Sequence, residues 1–269
     1  MMGPFKLYIL MTIVVITTSC STIKTFFVGE ETLFEKLKFP DSYVSRDYRD
    51  QLIALVGDYV KTPGVKVREL RERESRYLNL VYNIIVSNNE LIFDRSIKPH
   101  FYILKEERPY YFSLPPSNIF LSTGLIRKYL KNESVLVSVL AYEMLKSHKG
   151  IYNKKKHVPL GFVKTEDMLS FIKIKLKHKA EMNRWVFYVL NRAGFDGLSY
   201  LRWIQMQNRN SLEFVWLYGN TQSLSREEYF FKNFIAKEQL LDKGVFQVQE
   251  KNSSDDFYRF INSVKRIKI

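Results

Sequence analysis

The sequence predicts an α+β protein that is mostly helical and has one small β-sheet. Apolar residues recur every three to four positions over most of the chain, which is the period of amphipathic helices. Three short segments rich in aromatic and β-branched residues lie together between residues 100 and 122, as expected for strands. With 269 residues, 46% hydrophobic and 26% charged, the composition is that of a folded globular protein and excludes disordered and collagen-like chains.

Two helices are predicted ahead of the strands. In the first, over residues 47–60, Leu52 and Val56 lie on one face, and Pro63 follows its end. The second covers residues 67–87 and is charged in its first half and apolar in its second. These two helices form the N-terminal side of the predicted domain.

The three predicted strands begin near residues 100, 109 and 118, and proline-containing turns separate them. Their aromatic residues either complete the core, which the pattern favours, or offer an apolar surface to an unfolded polypeptide. These residues are Tyr102, Tyr110, Tyr111, Phe112 and Phe120.

Helical patterns fill the rest of the chain. Asn132 is a suitable N-cap for a helix over residues 133–149, which Gly150 would end. A long helix is predicted from about residue 165 to Gly194. Shorter helices are predicted over residues 197–207, 225–241 and 254–265.

The first 19 residues are typical of a bacterial signal peptide, with one positive charge, a short apolar run and small residues before Cys20. Residues 17–20 (Thr-Thr-Ser-Cys) resemble a lipobox. The resemblance implies that Cys20 is lipidated. Residues 20–45 have little periodic pattern and are predicted to form a lipid-anchored tether and a first packed segment. The expected location is the cell envelope, anchored by lipid at the outer membrane and facing the periplasm.

The chain is strongly basic, with a formal charge of +14. Removal of the signal peptide takes only Lys6, which leaves 41 basic against 28 acidic residues and a charge of +13. Anionic lipids or envelope polymers would attract such a surface, although solvated helix faces explain most of the charge. The export signal and the lack of a nucleic-acid motif exclude nucleic acid as a partner. The densest basic clusters are Lys154 to His157 and the alternating Lys173, Lys175, Lys177 and Lys179.

Residues 118–150 resemble the core of the zinc metallopeptidase family that contains the CAAX prenyl protease, HtpX and BepA. In that family a Thr/Ser-x-Gly-Leu-Leu turn precedes a helix that carries His-Glu-x-x-His. Here residues 122–126 (Ser-Thr-Gly-Leu-Ile) fill the turn, and residues 137–141 lead into the active-site position. A second block agrees, because residues 193–196 (Ala-Gly-Phe-Asp) match the family's Ala-Gly-Tyr/Phe-Asp.

The resemblance covers about residues 100–210. It implies a metallopeptidase-like domain over residues 46–214, with its small sheet beside the former active-site helix. Residues 215–269 lie outside the resemblance and are predicted to form a helical extension packed on that domain.

The family binds zinc through two histidines four residues apart and a glutamate from a second helix, and the Glu between the histidines is the general base. The resemblance places Glu143 at the general-base position, where it would be vestigial. The former ligand positions hold Tyr142, Lys146 and Lys179, and Asn183 replaces the Asp that follows the third ligand. Protonated lysine cannot bind zinc, so no metal, no other cofactor and no catalytic residue is expected.

The site raises two questions: whether other side chains could regroup as zinc ligands, and what Lys146 and Lys179 do in place of the ligands. A regrouped ligand set would need His148, His178 or Glu181, which the helical spacing disfavours. Lys146 lies three residues after Glu143, within reach of it, and Lys179 should project from the facing helix. Either an ammonium group replaces the metal as a brace between the two helices, or these side chains point to water in a widened cleft.

These observations predict a catalytically inactive, metallopeptidase-like envelope lipoprotein that binds unfolded clients or envelope protein partners. The strands at 109–114 or 118–122 could take up a peptide by strand addition. Two alternatives stay open. One is an active metallopeptidase with rearranged ligands, and the other is a basic structural lipoprotein that docks on anionic envelope components. The sequence leaves the oligomeric state open.

Overall fold

Helices enclose a small mixed sheet in the computed structural model, which describes residues 45–153, 158, 160–218, 220–241 and 253–267. The described residues form ten helices and four strands, which confirms the predicted α+β, mostly helical class. The helices are α1 (Arg46–Val60), α2 (Glu72–Ser87), α3 (Thr123–Lys128), α4 (Glu133–His148), α5 (Thr165–Phe171), α6 (Leu176–Arg192), α7 (Leu198–Arg209), α8 (Ser211–Tyr218), α9 (Thr221–Leu241) and α10 (Asp255–Lys265). The strands are β1 (Val67–Arg68), β2 (His100–Leu104), β3 (Tyr111–Leu114) and β4 (Asn118–Ser122).

The sheet has the order β1-β2-β4-β3. Strand β4 lies between β2, which is parallel to it, and β3, which is antiparallel to it. Strand β1 was not predicted; Val67 and Arg68 pair with Leu104 and Ile103, so helix α2 begins only at Glu72. The aromatic residues of the strand segments belong to the core, as the pattern favoured. Four of the five are buried, and Tyr102 packs against the buried cluster.

Helix α4 is the central element. Asn132 caps it, since its Oδ1 accepts from the Val135 backbone N–H at 2.9 Å. Every residue from Val135 to His148 is buried, against strands β3 and β4 on one side and helices α2, α6 and α7 on the others. A helix covered all round forces any charged group in its second half into the interior.

The helix predicted over residues 165–193 is two helices, α5 and α6, with a break at residues 172–175. The Asn153 side-chain amide donates to the Lys173 carbonyl at 2.6 Å, which takes that carbonyl out of a helical ladder. Lys173 and Ile174 therefore lie in a short connection immediately before α6.

In the two segments that resemble the family, the backbone requires glycine at two positions. The Gly124 N–H donates to the Glu106 carbonyl at 2.8 Å, and a Cβ at residue 124 would overlap the Glu107 carbonyl. Gly194 follows α6 with a φ of 76°, the left-handed conformation that ends many helices.

The C-terminal part of the chain is integrated with the rest. Helix α8 runs across residues 214 and 215, where the predicted extension begins. Helix α10 packs on α2 and α3. Its last turn accepts hydrogen bonds from Arg127, at 3.4 Å to the Val264 carbonyl and 3.2 Å to the Lys265 carbonyl.

Some predictions concern residues outside the described part. They are the signal peptide, the lipidation of Cys20, the tether before residue 45 and the basic cluster from Lys154 to His157. Among the described helices, none combines the length and the apolar character needed to cross a bilayer.

Candidate functional site

A cleft of about 50 Å³ opens beside the C-terminal half of α4. That volume has room for a few water molecules. The lining residues come from β3, α4, the end of α5, the connection before α6, α6 itself and α8. They are Tyr111, Tyr142, Glu143, Lys146, Leu169, Ile172, Lys173, Ile174, Lys179 and Leu217. The cleft therefore brings together the residue that the family resemblance assigns to the general-base position and the three that it assigns to the ligand positions.

Glu143 and Lys146 form an ion pair within α4, with Lys146 Nζ 2.5 Å from Glu143 Oε2. Both side chains are buried. The Lys146 ammonium also lies over the ring of Tyr152, 6.0 Å from its centroid. The turn of α4 that carries Glu143 is fixed to the sheet, because the Ser113 hydroxyl donates to the Glu143 carbonyl at 2.9 Å.

Tyr142 is the residue that the family resemblance assigns to the first ligand position. Its ring stacks on Tyr200 of α7 with a centroid distance of 5.5 Å and an interplanar angle of 13°. Burial, followed by the negative charge of Glu227, raises the pKa of the Tyr142 phenol well above its usual value. The phenol therefore stays protonated at neutral pH and does not offer the phenolate that a metal ion would need.

Lys179 is paired with a carboxylate that the sequence analysis missed. Its Nζ lies 3.6 Å from Oε2 of Glu227 on α9, and both side chains are buried. Asn183, one turn further along α6, donates from Nδ2 to Glu227 Oε1 at 3.1 Å. Burial lowers the pKa of Lys179, and Lys146 and Lys173 lower it further, whereas Glu227 opposes the shift.

The ion pairs differ from the expected brace between α4 and α6. Lys146 contacts the carboxylate three residues before it on its own helix, and the Lys179 pair joins α6 to α9. Both pairs are buried, so these side chains do not point to water as the alternative expected. The physical reason is the position of α9, which packs on α6 and brings the carboxylate of Glu227 to Lys179.

A weak signal for Glu227 is present in the sequence. Leu224, Glu227 and Phe231 follow the helical period and share the buried face of α9. An acidic residue within an apolar stripe indicates a buried charge that needs a cationic partner. Nothing in the local pattern says which lysine that partner is.

The residues of the cleft do not fit zinc. Lys146 and Lys179 present ammonium groups, which cannot bind zinc, and each contacts a carboxylate that could otherwise serve as a ligand. Within the described ranges, no group of three or more His, Cys, Asp or Glu side chains could hold a metal ion. The absence of zinc from the protein stays a prediction.

The regrouped ligand set is not assembled at the cleft either. His148 Nε2 lies 2.8 Å from the Tyr82 hydroxyl, on the side of α4 that faces α2, and its ring packs edge-on against Phe93. Neither His178 nor Glu181 is among the residues that line the cleft.

No protein-family model matches the sequence, and no curated protein matches it. The likeness to the metallopeptidase family therefore rests on the two sequence blocks and on the position of their residues around one cleft.

Proposed function

We propose that this chain is a catalytically inactive, metallopeptidase-like lipoprotein of the bacterial envelope that binds protein clients or partners. One observation carries the proposal. Tyr142, Glu143, Lys146 and Lys179, which the family resemblance selects from two distant parts of the sequence, line a single cleft. Tyr142, Glu143 and Lys146 are neighbours on α4, so the informative observation is that α6 brings Lys179 to the same cleft.

The chemistry of the cleft supports a role without catalysis. Peptide hydrolysis by such enzymes needs a metal-bound water and a carboxylate that can accept its proton. Here ammonium groups stand where metal ligands would be, and the Glu143 carboxylate is engaged by Lys146 at 2.5 Å. The residues present therefore supply neither the activated water nor a free general base.

The walls of the cleft support a role in binding. Four aliphatic side chains line it together with the charged groups, and they belong to α5, α8 and the connection before α6. They are Leu169, Ile172, Ile174 and Leu217. Apolar walls around a few polar groups are typical of ligand sites in proteins.

Strand addition is a less suitable binding mode. Strand β4 is an interior strand, so the prediction that residues 118–122 offer an edge is wrong. Strand β3 is at the edge of the sheet, but the Tyr152 hydroxyl donates to the Ser113 carbonyl at 3.0 Å. A peptide pairing with β3 would have to displace Tyr152, and for this reason we assign binding to the cleft.

The proposed location follows from the sequence. A lipid on Cys20 would anchor the chain to the outer membrane, facing the periplasm, and a charge of +13 would favour anionic surroundings. A second candidate function rests on that charge alone: a structural lipoprotein that docks on anionic envelope components. An active enzyme with a rearranged ligand set is the third candidate.

Metal content tests the inactive state. The full chain, purified without an affinity tag in detergent from zinc-supplemented cells, should contain less than about 0.1 equivalent of zinc by elemental analysis. A stoichiometric metal would overturn the proposal and make Glu143, His148 and His178 the first residues to replace.

Binding of an unfolded polypeptide tests the client role. Labelled, reduced and carboxymethylated lactalbumin should bind the full chain at physiological salt. Leu217→Trp, which fills the cleft, should weaken binding about tenfold, whereas Leu212→Trp on the exposed face of the same helix should not. Binding that is equal in both variants and fades with salt would favour the structural lipoprotein instead.

A further inference from the structure

The cleft carries more positive than negative charge. Three ammonium groups, those of Lys146, Lys173 and Lys179, line it. The carboxylates of Glu143 and Glu227 contact two of them. Among the described residues no acidic side chain forms an ion pair with Lys173, so one positive charge is in excess.

The end of helix α6 adds to this excess. Lys173 and Ile174 precede the helix, and Lys179 lies at the end of its first turn, so the N-terminus of α6 lies beside the cleft. The side chain of its N-cap residue, Lys175, makes no capping hydrogen bond, and its first turn contains no acidic residue. A helix N-terminus carries a partial positive charge, which an anion would neutralise. Burial lowers the pKa of Lys179, and the like charges of Lys146 and Lys173 lower it further.

We propose that this cleft binds a single carboxylate group of a polypeptide ligand through the ammonium groups of Lys173 and Lys179. The inference rests on the proposed function, because the ligand is the bound client. The apolar walls, including Ile174 and Leu217, would contact the aliphatic part of the residue that carries the carboxylate.

A carboxylate fits this cleft better than a phosphate does. Its one negative charge matches the one positive charge in excess. A phosphate dianion would leave unmatched negative charge close to the buried carboxylates of Glu143 and Glu227. The cleft volume of about 50 Å³ also admits a carboxylate and little more, so the rest of the polypeptide would lie outside.

Three peptides and two variants test the proposal. The probe is a labelled peptide of about twelve residues with an apolar last residue and a free C-terminal carboxylate. The second peptide is its C-terminal amide, and the third is an amide with Glu as the last residue. Affinities for the full chain in detergent are measured by fluorescence anisotropy at physiological salt, so that exposed charges are largely screened. Lys173→Met removes one cleft ammonium, and Lys177→Met makes the same charge change at an exposed position of α6.

We expect amidation to raise the Kd about tenfold, which is the effect of losing one charge-assisted contact. Lys173→Met should raise the Kd of the free acid about tenfold and leave that of the amide unchanged, whereas Lys177→Met should change both less than about twofold. If the amide that ends in Glu regains the affinity, a side-chain carboxylate also binds in the cleft, which supports the proposal. Equal affinity for the free acid and the amide, or equal losses in the two lysine variants, would overturn the proposal.

The outcomes separate this inference from the proposed function. If the full chain binds unfolded lactalbumin through the cleft but does not distinguish acid from amide, only the carboxylate proposal fails. If it binds neither lactalbumin nor the peptides, both proposals fail.

Discussion

The ammonium group of Lys179 on α6 lies 3.6 Å from the carboxylate of Glu227 on α9, and the two side chains are 11% and 2% exposed. This contact joins the family-like part of the chain to the part beyond residue 214. The C-terminal segment therefore supplies a charge to the cleft, in addition to packing on the domain. A chain that ended at residue 214 would lack that carboxylate, together with the helix α9 that packs on α6.

Replacing Glu227 should destabilise the protein strongly. Glu227→Gln leaves the Lys179 ammonium buried without its counter-charge, so we expect the free energy of unfolding to fall by about 3 kcal/mol. Urea denaturation followed by circular dichroism measures the change. Glu72→Gln, which breaks an exposed pair with Arg76, should have little effect. The double change Lys179→Met with Glu227→Leu should restore most of the loss; if it does not, buried charge is not the cause.

Glu143→Gln should also lower stability, because it leaves the buried ammonium of Lys146 without a carboxylate. A loss of about 2–3 kcal/mol corresponds to a fall in thermal midpoint of about 5–10 °C for a chain of this size. Differential scanning calorimetry measures it, and Glu166→Gln in the half-exposed pair with Arg108 is the control. An unchanged midpoint in Glu143→Gln would mean that the pair contributes no stability.

Stability should fall between pH 6.5 and pH 4 because of His148. Burial, reinforced by the charge of Arg49, lowers the pKa of this imidazole from 6.5 to about 4. In that pH range the unfolded chain binds a proton that the folded chain does not, so acidification favours unfolding, by about 3 kcal/mol at pH 4.

Urea denaturation of His148→Gln as a function of pH tests this prediction. The variant should show a shallower loss of stability than the parent between pH 6.5 and pH 4. His100→Gln, at an exposed position, should retain the parent slope. If the slope in His148→Gln equals that of the parent, other groups cause the acid sensitivity.

Docking of α10 should be essential for stability. Phe257 is fully buried in its contact with the domain, whereas its neighbour Tyr258 is 50% exposed. Phe257→Ala should lower the free energy of unfolding by about 3–4 kcal/mol, and Tyr258→Ala by much less. Parallel urea titrations compare the two. Similar small losses in both variants would mean that α10 contributes little to the fold.

The elements that the sequence predicted correctly are those with local signals. Helix α4 has a capping residue, Asn132, and an apolar pattern that continues almost to Gly150, and the structure places it at residues 133–148. The missed break between α5 and α6 depends on a hydrogen bond from Asn153, twenty residues before Lys173. Strand β1 likewise forms only because β2 offers it an edge. Interactions over such distances leave no periodic pattern.

The sequence by itself determined the class of the fold, because that class depends on local periodicity, and the family resemblance selected residues that line one cleft. The tertiary structure decided that the lysines there are buried, that Lys146 contacts Glu143, and that Lys179 contacts Glu227 instead. A buried lysine needs a carboxylate, but which carboxylate is near depends on how helices distant in sequence pack together. That packing is a property of the whole folded chain, and no single segment encodes it.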